Sequence, residues 1–179
     1  MFFDYDELFR KQKVFLSFYH FEDQCYKDYI VNYLGNQFID KSVSFGEYNS
    51  ENSDEYIKRL IREEKISDSS VVVVLVGPNT KNRKHVDWEI YAGLRESNNA
   101  SSGLIGILLP TFPLTYDNKY YFSDLPVRLA DNVRSGYAKL YLWDYAIKNF
   151  SLIINQAFND RKLLALRKKN NRLQMQCNT

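Results

Sequence analysis

At 179 residues, 45 % apolar and 16 % aromatic, the chain is long enough for one domain with a sizeable core and too apolar for a disordered segment. Its net charge of +2 excludes the electrostatic footprint of a dedicated nucleic-acid binder, and no run approaches the ~18 apolar residues of a membrane span. Acids in the opening "MFFDYDELFRKQK" stand where an export signal carries basic residues, and Cys25 and Cys177 match no metal or redox spacing. The expectation is a cytoplasmic protein with two free thiols.

In chain order, "KVFLSF" (13–18) is a short apolar run rich in strand formers. The next segment, 21–38, places Tyr26, Ile30, Tyr33 and Leu34 at helical spacing. "SVSFGEY" (42–48) reads as a second, weaker strand. A helix capped by Ser50 or Ser53 follows, with Ile57, Leu60 and Ile61 on one face. "SSVVVVLVG" (69–77) is apolar at nearly every position and β-branched, as a central parallel strand covered on both sides must be. After the loop "GPNTKNRKH" a helix from Lys84 to about Asn98 carries the stripe Val86, Ile90, Leu94. "GLIGILLP" (103–110) is a fourth strand ended by Pro110, and 111–136 reads as a long connection. "YAKLYLWDY" (137–145) is a fifth strand and 146–168 a closing helix.

Strands alternating with helices predict an α/β fold, flavodoxin-like, with a five-stranded parallel sheet in the order 2-1-3-4-5 and helices on both faces. The expected organisation is a single domain over 1–179, with a core at about 12–150 and a C-terminal helix and basic tail at about 146–179. Ligands of such sheets bind outside the carboxyl ends of the strands, at the switch point between strands one and three. That directs attention to "SFYHFED" after strand one, to Glu47 and Tyr48 after strand two, and to "GPNTKNRKH" after strand three.

No phosphate-cradling Gly-rich loop and no metal-binding His or Cys cluster occurs in the sequence. Ser17, His20 and Asp23 suggest a nucleophilic triad only superficially, because triads are assembled by geometry and not along one loop. Glu89 is of more interest. It lies off the centre of the Val86–Ile90–Leu94 stripe, on the side shared with Gly93 one turn later. A mid-helix glycine costs about 1 kcal/mol relative to alanine, and open space for a ligand beside Glu89 is one return on it. A boundary glutamate paired to Arg83 or Lys84 explains the spacing equally well.

The basic excess is confined to the end of the chain. Arg161, Lys162, Arg167, Lys168, Lys169 and Arg172 face one acid from Asp160 onward, and the rest is slightly acidic. The tail reads as the solvated end of a helix, remote in sequence from the site loops and dispensable for chemistry.

Three blocks, "KVFLSFYHFED", "VVVVLVGPNTKNRKHVDWEI" and "PVRLADNVRSGYAKLYLW", together resemble the bacterial TIR-like domains that serve as the signal-producing subunit of Thoeris antiphage defence. The resemblance covers about residues 12–150 and places the family's catalytic glutamate on Glu89. Many TIR domains carry Trp four residues before that glutamate; here the position is His85, with Trp88 nearby. The resemblance implies NAD+ as substrate with no cofactor and no metal, cleavage of the nicotinamide–ribose bond, and a cyclic ADP-ribose-type messenger for an effector protein. It leaves self-association or a phage-derived trigger as further partners, and implies neither membrane nor nucleic acid. The substrate-binding candidates are Ser17, Phe18, Tyr19, His20, Tyr48, Asn79, Thr80, Arg83 and Trp88: aromatics to stack on rings, Arg83 for pyrophosphate, and Asn79 and Thr80 for hydrogen bonds or a helix cap. A non-catalytic TIR interaction module and a nucleoside deoxyribosyltransferase-like enzyme remain the alternatives.

Overall fold

The computed structural model describes residues 11–42, 63–95 and 101–179. Five parallel strands form one sheet in the order β2-β1-β3-β4-β5: β1 (Lys13–Ser17), β2 (Ile39–Asp40), β3 (Val71–Val76), β4 (Gly103–Leu108) and β5 (Lys139–Leu142). Ser17 pairs with Val74 across β1 and β3, and β3 runs beside β4 along its whole length. β3 and β4 are buried at every position, as their unbroken apolar runs require for strands covered on both faces.

The period of two within a strand sorts residues to two cores. On one face Phe15, Val72, Val74 and Val76 meet Val86, Ile90 and Leu94 of α3 (Lys84–Leu94), Leu129 and Ala130 of α4 (Val127–Ser135), and Ile66 of α2 (residues 63–67). On the other Val14, Leu16, Phe18, Val73 and Leu75 meet Ile30 of α1 (His20–Leu34), Ala146 of α5 (Trp143–Lys148) and Phe150, Ile153 and Ile154 of α6 (Phe150–Leu163). α1 and α3 therefore leave β1 and β3 toward opposite faces, which opens a crevice at the strands' carboxyl ends.

Four elements differ from the sequence reading. The second strand is Ile39–Asp40, because an Asx turn (Ser42 N to Asp40 Oδ1, 2.8 Å) ends it before Ser42. Most of the expected 42–48 strand, the Ser50 and Ser53 caps and the 57–61 stripe lie outside the described residues. The expected connection 111–136 contains α4, announced by Pro126 ahead of it and by Gly136 (φ 77°) behind it. The buried positions of α4 include Arg128 and Asn132, so polar side chains hid its inward face. Trp143 starts a helix and does not extend β5, and the closing helix breaks at Asn149. In α1 the buried side is Asp23, Lys27 and Ile30, with Tyr33 exposed.

Gly93 also has a different purpose from the one its spacing suggested. A Cβ there would lie 2.6 Å from Val72 Cγ2 and 3.6 Å from Ile66 Cγ2. The glycine lets α3 approach the sheet, and the space beside it is filled. Gly93→Ala should cost about 1–3 kcal/mol through overpacking, a melting temperature lower by several degrees in a chain of this size. Thermal denaturation checks this, and the losses from Gly93→Ala and Val72→Ala should be less than additive.

Candidate active site

Two strand ends build the site. Ser17, the last residue of β1, lies on the α3 face of the sheet because its neighbours Leu16 and Phe18 occupy the other. Its Oγ donates to Glu89 Oε2 at 2.6 Å. Ser17 is fully buried and Glu89 is 4 % exposed. A short hydrogen bond to an ionisable carboxylate in a dry setting fixes the orientation of that carboxylate.

Above this pair the loops after β1 and β3 meet. Arg83, the residue preceding α3, lays its guanidinium over the Tyr19 ring, 4.0 Å from its centroid. Arg83 Nε is buried and makes no hydrogen bond among the described residues. Asn79 Nδ2 donates to both carboxylate oxygens of Glu22, at 2.9 and 3.1 Å. Thr80 is fully buried: its Oγ1 accepts from Gly77 N (2.8 Å) and reaches Asp23 Oδ2 at 3.4 Å.

The other expected residues lie elsewhere. Phe18 packs in the core on the α1 face, stacked on His20 with centroids 4.2 Å apart. Trp88 donates through Nε1 to Met175 O at 2.8 Å, with Lys84 over its ring and His85 against its edge. Tyr48 falls outside the described residues. The structure thus brings Ser17 to Glu89 and Tyr19 to Arg83; it places Phe18 on the opposite face and puts Trp88 under the C-terminal segment.

That segment is not a solvated helix end. Residues 168–179 form neither helix nor strand and pack on α3 and α4. Separations of roughly 40 to 90 residues along the chain concealed this, and nothing in local pattern signals it.

Asp23 is a second buried carboxyl that spacing passed over. It sits in the first turn of α1, 1 % exposed. Its oxygens fill the place a Cβ at Gly77 would take, at 2.7 Å. Burial pushes its pKa up to about 6, with the Thr80 hydroxyl opposing and the Glu22 charge adding to the shift. Folding then favours the protonated form, so stability from this group is full below its ordinary value of 3.8 and is lost as pH rises through about 6. Urea denaturation should show Asp23→Asn gaining about 2 kcal/mol on the native protein between pH 4.5 and 7.5. A constant difference between the two across that range would contradict the shift.

Among the described residues no group of three or more His, Cys, Asp or Glu is placed to hold a metal ion, and no helix is long and apolar enough to cross a membrane.

A parallel sheet in the order 2-1-3-4-5, flanked by helices on both faces, defines a flavodoxin-like TIR fold. The family model described as Thoeris protein ThsB, TIR-like domain, matches residues 15–112, and the chain belongs to that family. The matched span runs from β1 past β4 and holds Ser17, Arg83 and Glu89; α4, β5, α5, α6 and the C-terminal segment lie beyond it. No curated protein matches the chain.

Proposed function

We propose that the protein cleaves NAD+ between nicotinamide and ribose and passes the ADP-ribosyl group to a nucleophile within the same molecule, yielding a cyclic ADP-ribose-type messenger for an effector protein. The observation that carries this is the buried Ser17–Glu89 pair at the carboxyl ends of β1 and β3, where open α/β sheets bind ligands. Family membership supports the defence-signalling context.

One carboxylate suffices for this reaction. Glycosidases need a second to protonate a leaving alkoxide, whereas nicotinamide departs as a neutral base. The C1′–N bond breaks with its electron pair going to the pyridine nitrogen, leaving an oxocarbenium-like ribose. Ionised Glu89 stabilises that charge and accepts hydrogen bonds from ribose hydroxyls. A new bond from the internal nucleophile to C1′ closes the ring, and the nucleophile's proton is released to solvent. Excluding water favours this outcome over hydrolysis to ADP-ribose.

A second reading, a non-catalytic interaction module, draws on the near-complete burial of Glu89. Incubation of the pure protein with NAD+, followed by mass spectrometry, separates the two. Nicotinamide together with an ADP-ribose isomer is the expected outcome. NAD+ left intact, with and without an infected-cell extract, would favour the module.

A further inference from the structure

Residues 170–179 run antiparallel along α3 as a strap. Asn170 Nδ2 donates to Tyr91 O (3.1 Å), Met175 N to Asp87 Oδ2 (2.9 Å), Trp88 Nε1 to Met175 O (2.8 Å) and Lys84 N to Asn178 Oδ1 (2.9 Å). Residues 84, 87, 88 and 91 follow i, i+3, i+4, i+7 spacing, so the strap covers a single face of α3 and ends at its amino terminus.

The strap has two parts of different strength. Its first half is rooted in the interior: buried Arg128 donates to Asn170 Oδ1 (3.1 Å) and Leu173 O (3.3 Å), and Met175 is clamped between Asp87 and Trp88. Its last residues, Cys177, Asn178 and Thr179, are exposed. They are held by Asn178 on the Lys84 amide and by Thr179 on Asn82 O and Oδ1, both at 3.2 Å. A few exposed hydrogen bonds with little apolar burial mark a segment that opens locally while the rest stays folded.

Asn178 supplies a neutral acceptor to a first-turn amide of an 11-residue helix. That helix end carries partial positive charge and is adjoined by Arg83, whose buried Nε makes no described hydrogen bond. A pyrophosphate is a stronger acceptor for the same donors than a carboxamide.

We propose that residues 177–179 are a displaceable plug, occupying the amino end of α3 in the resting protein and yielding it to the diphosphate of a dinucleotide substrate. The inference rests on the NAD+ reading for the identity of that substrate. Binding then requires the plug to leave, and apparent affinity falls by the fraction of molecules in which it is closed.

The test compares the full chain with a chain ended after Gln176 and with Asn178→Ala. ADP is the first probe, because it carries the diphosphate and lacks the scissile bond. Titration calorimetry should show the shortened chain binding ADP five- to tenfold more tightly and Asn178→Ala showing part of that gain, with melting temperatures within about 2 °C of the full chain. The KM for NAD+ should fall by the same factor at constant kcat. Tighter ADP binding with no NAD+ cleavage by any variant would sink the NAD+ reading and leave the plug standing. NAD+ cleavage with unchanged KM, or ADP affinity that is unchanged, lost or absent in the shortened chain, would overturn the plug.

Discussion

Glu89→Gln is expected to lower nicotinamide release by at least a hundredfold to a thousandfold, the range seen when one transition-state-stabilising group is removed from a preorganised site. The substitution retains size and leaves an amide oxygen to accept from Ser17 Oγ, which donates at 2.6 Å to the carboxylate. What disappears is the negative charge facing the developing cation. The loss should therefore fall on kcat, with KM for NAD+ nearly constant. Steady-state assay of released nicotinamide, with a thermal melt to confirm folding, measures both. A folded Glu89→Gln protein that turns over at the native rate would mean that the carboxylate is structural, and the interaction-module reading would take its place.

Arg128→Met should be among the most destabilising substitutions outside the hydrophobic core. The guanidinium is fully buried and donates to both oxygens of Asp87, from Nε at 2.9 Å and Nη2 at 3.2 Å. It also lies over the Tyr91 ring and holds Asn170 and Leu173 of the strap. Methionine fills much of the volume but leaves Asp87, itself buried, with the Met175 amide and no cation. Breaking a buried pair from one side costs about 3–5 kcal/mol, so the melting temperature should drop by about 10 °C or more. Adding Asp87→Asn should restore part of the loss, since the orphaned charge is then removed. Limited proteolysis of Arg128→Met should cut within residues 170–179 sooner than in the native chain. A melt within 1 °C of native would show that the pair holds neither α4 nor the strap.

Much of the architecture was legible because it is periodic. The run at 71–76 and the stripe Val86, Ile90, Leu94 are local patterns with periods set by backbone geometry, and both became buried as read. The alternation of elements led to the sheet order, and the sheet order pointed to the crevice where Ser17 and Glu89 meet. Polar core positions broke the same reasoning. α4 presents Arg128 and Asn132 inward, so a search for apolar spacing passed over a helix whose Pro126 and Gly136 were plain markers.

By itself the sequence determined the fold class, the strand order and the position of one acid after the third strand. Tertiary structure decided what each site residue touches. Ser17 and Glu89 are 72 positions apart, and Asp87 and Met175 are 88 apart. Tertiary structure also put Phe18 on the far face from Glu89, used Gly93 for contact with Val72, and brought the tail over Trp88. Hydrophobic periodicity reports which side of an element faces inward. It carries no information about which partner waits there, because that depends on how all the layers pack at once.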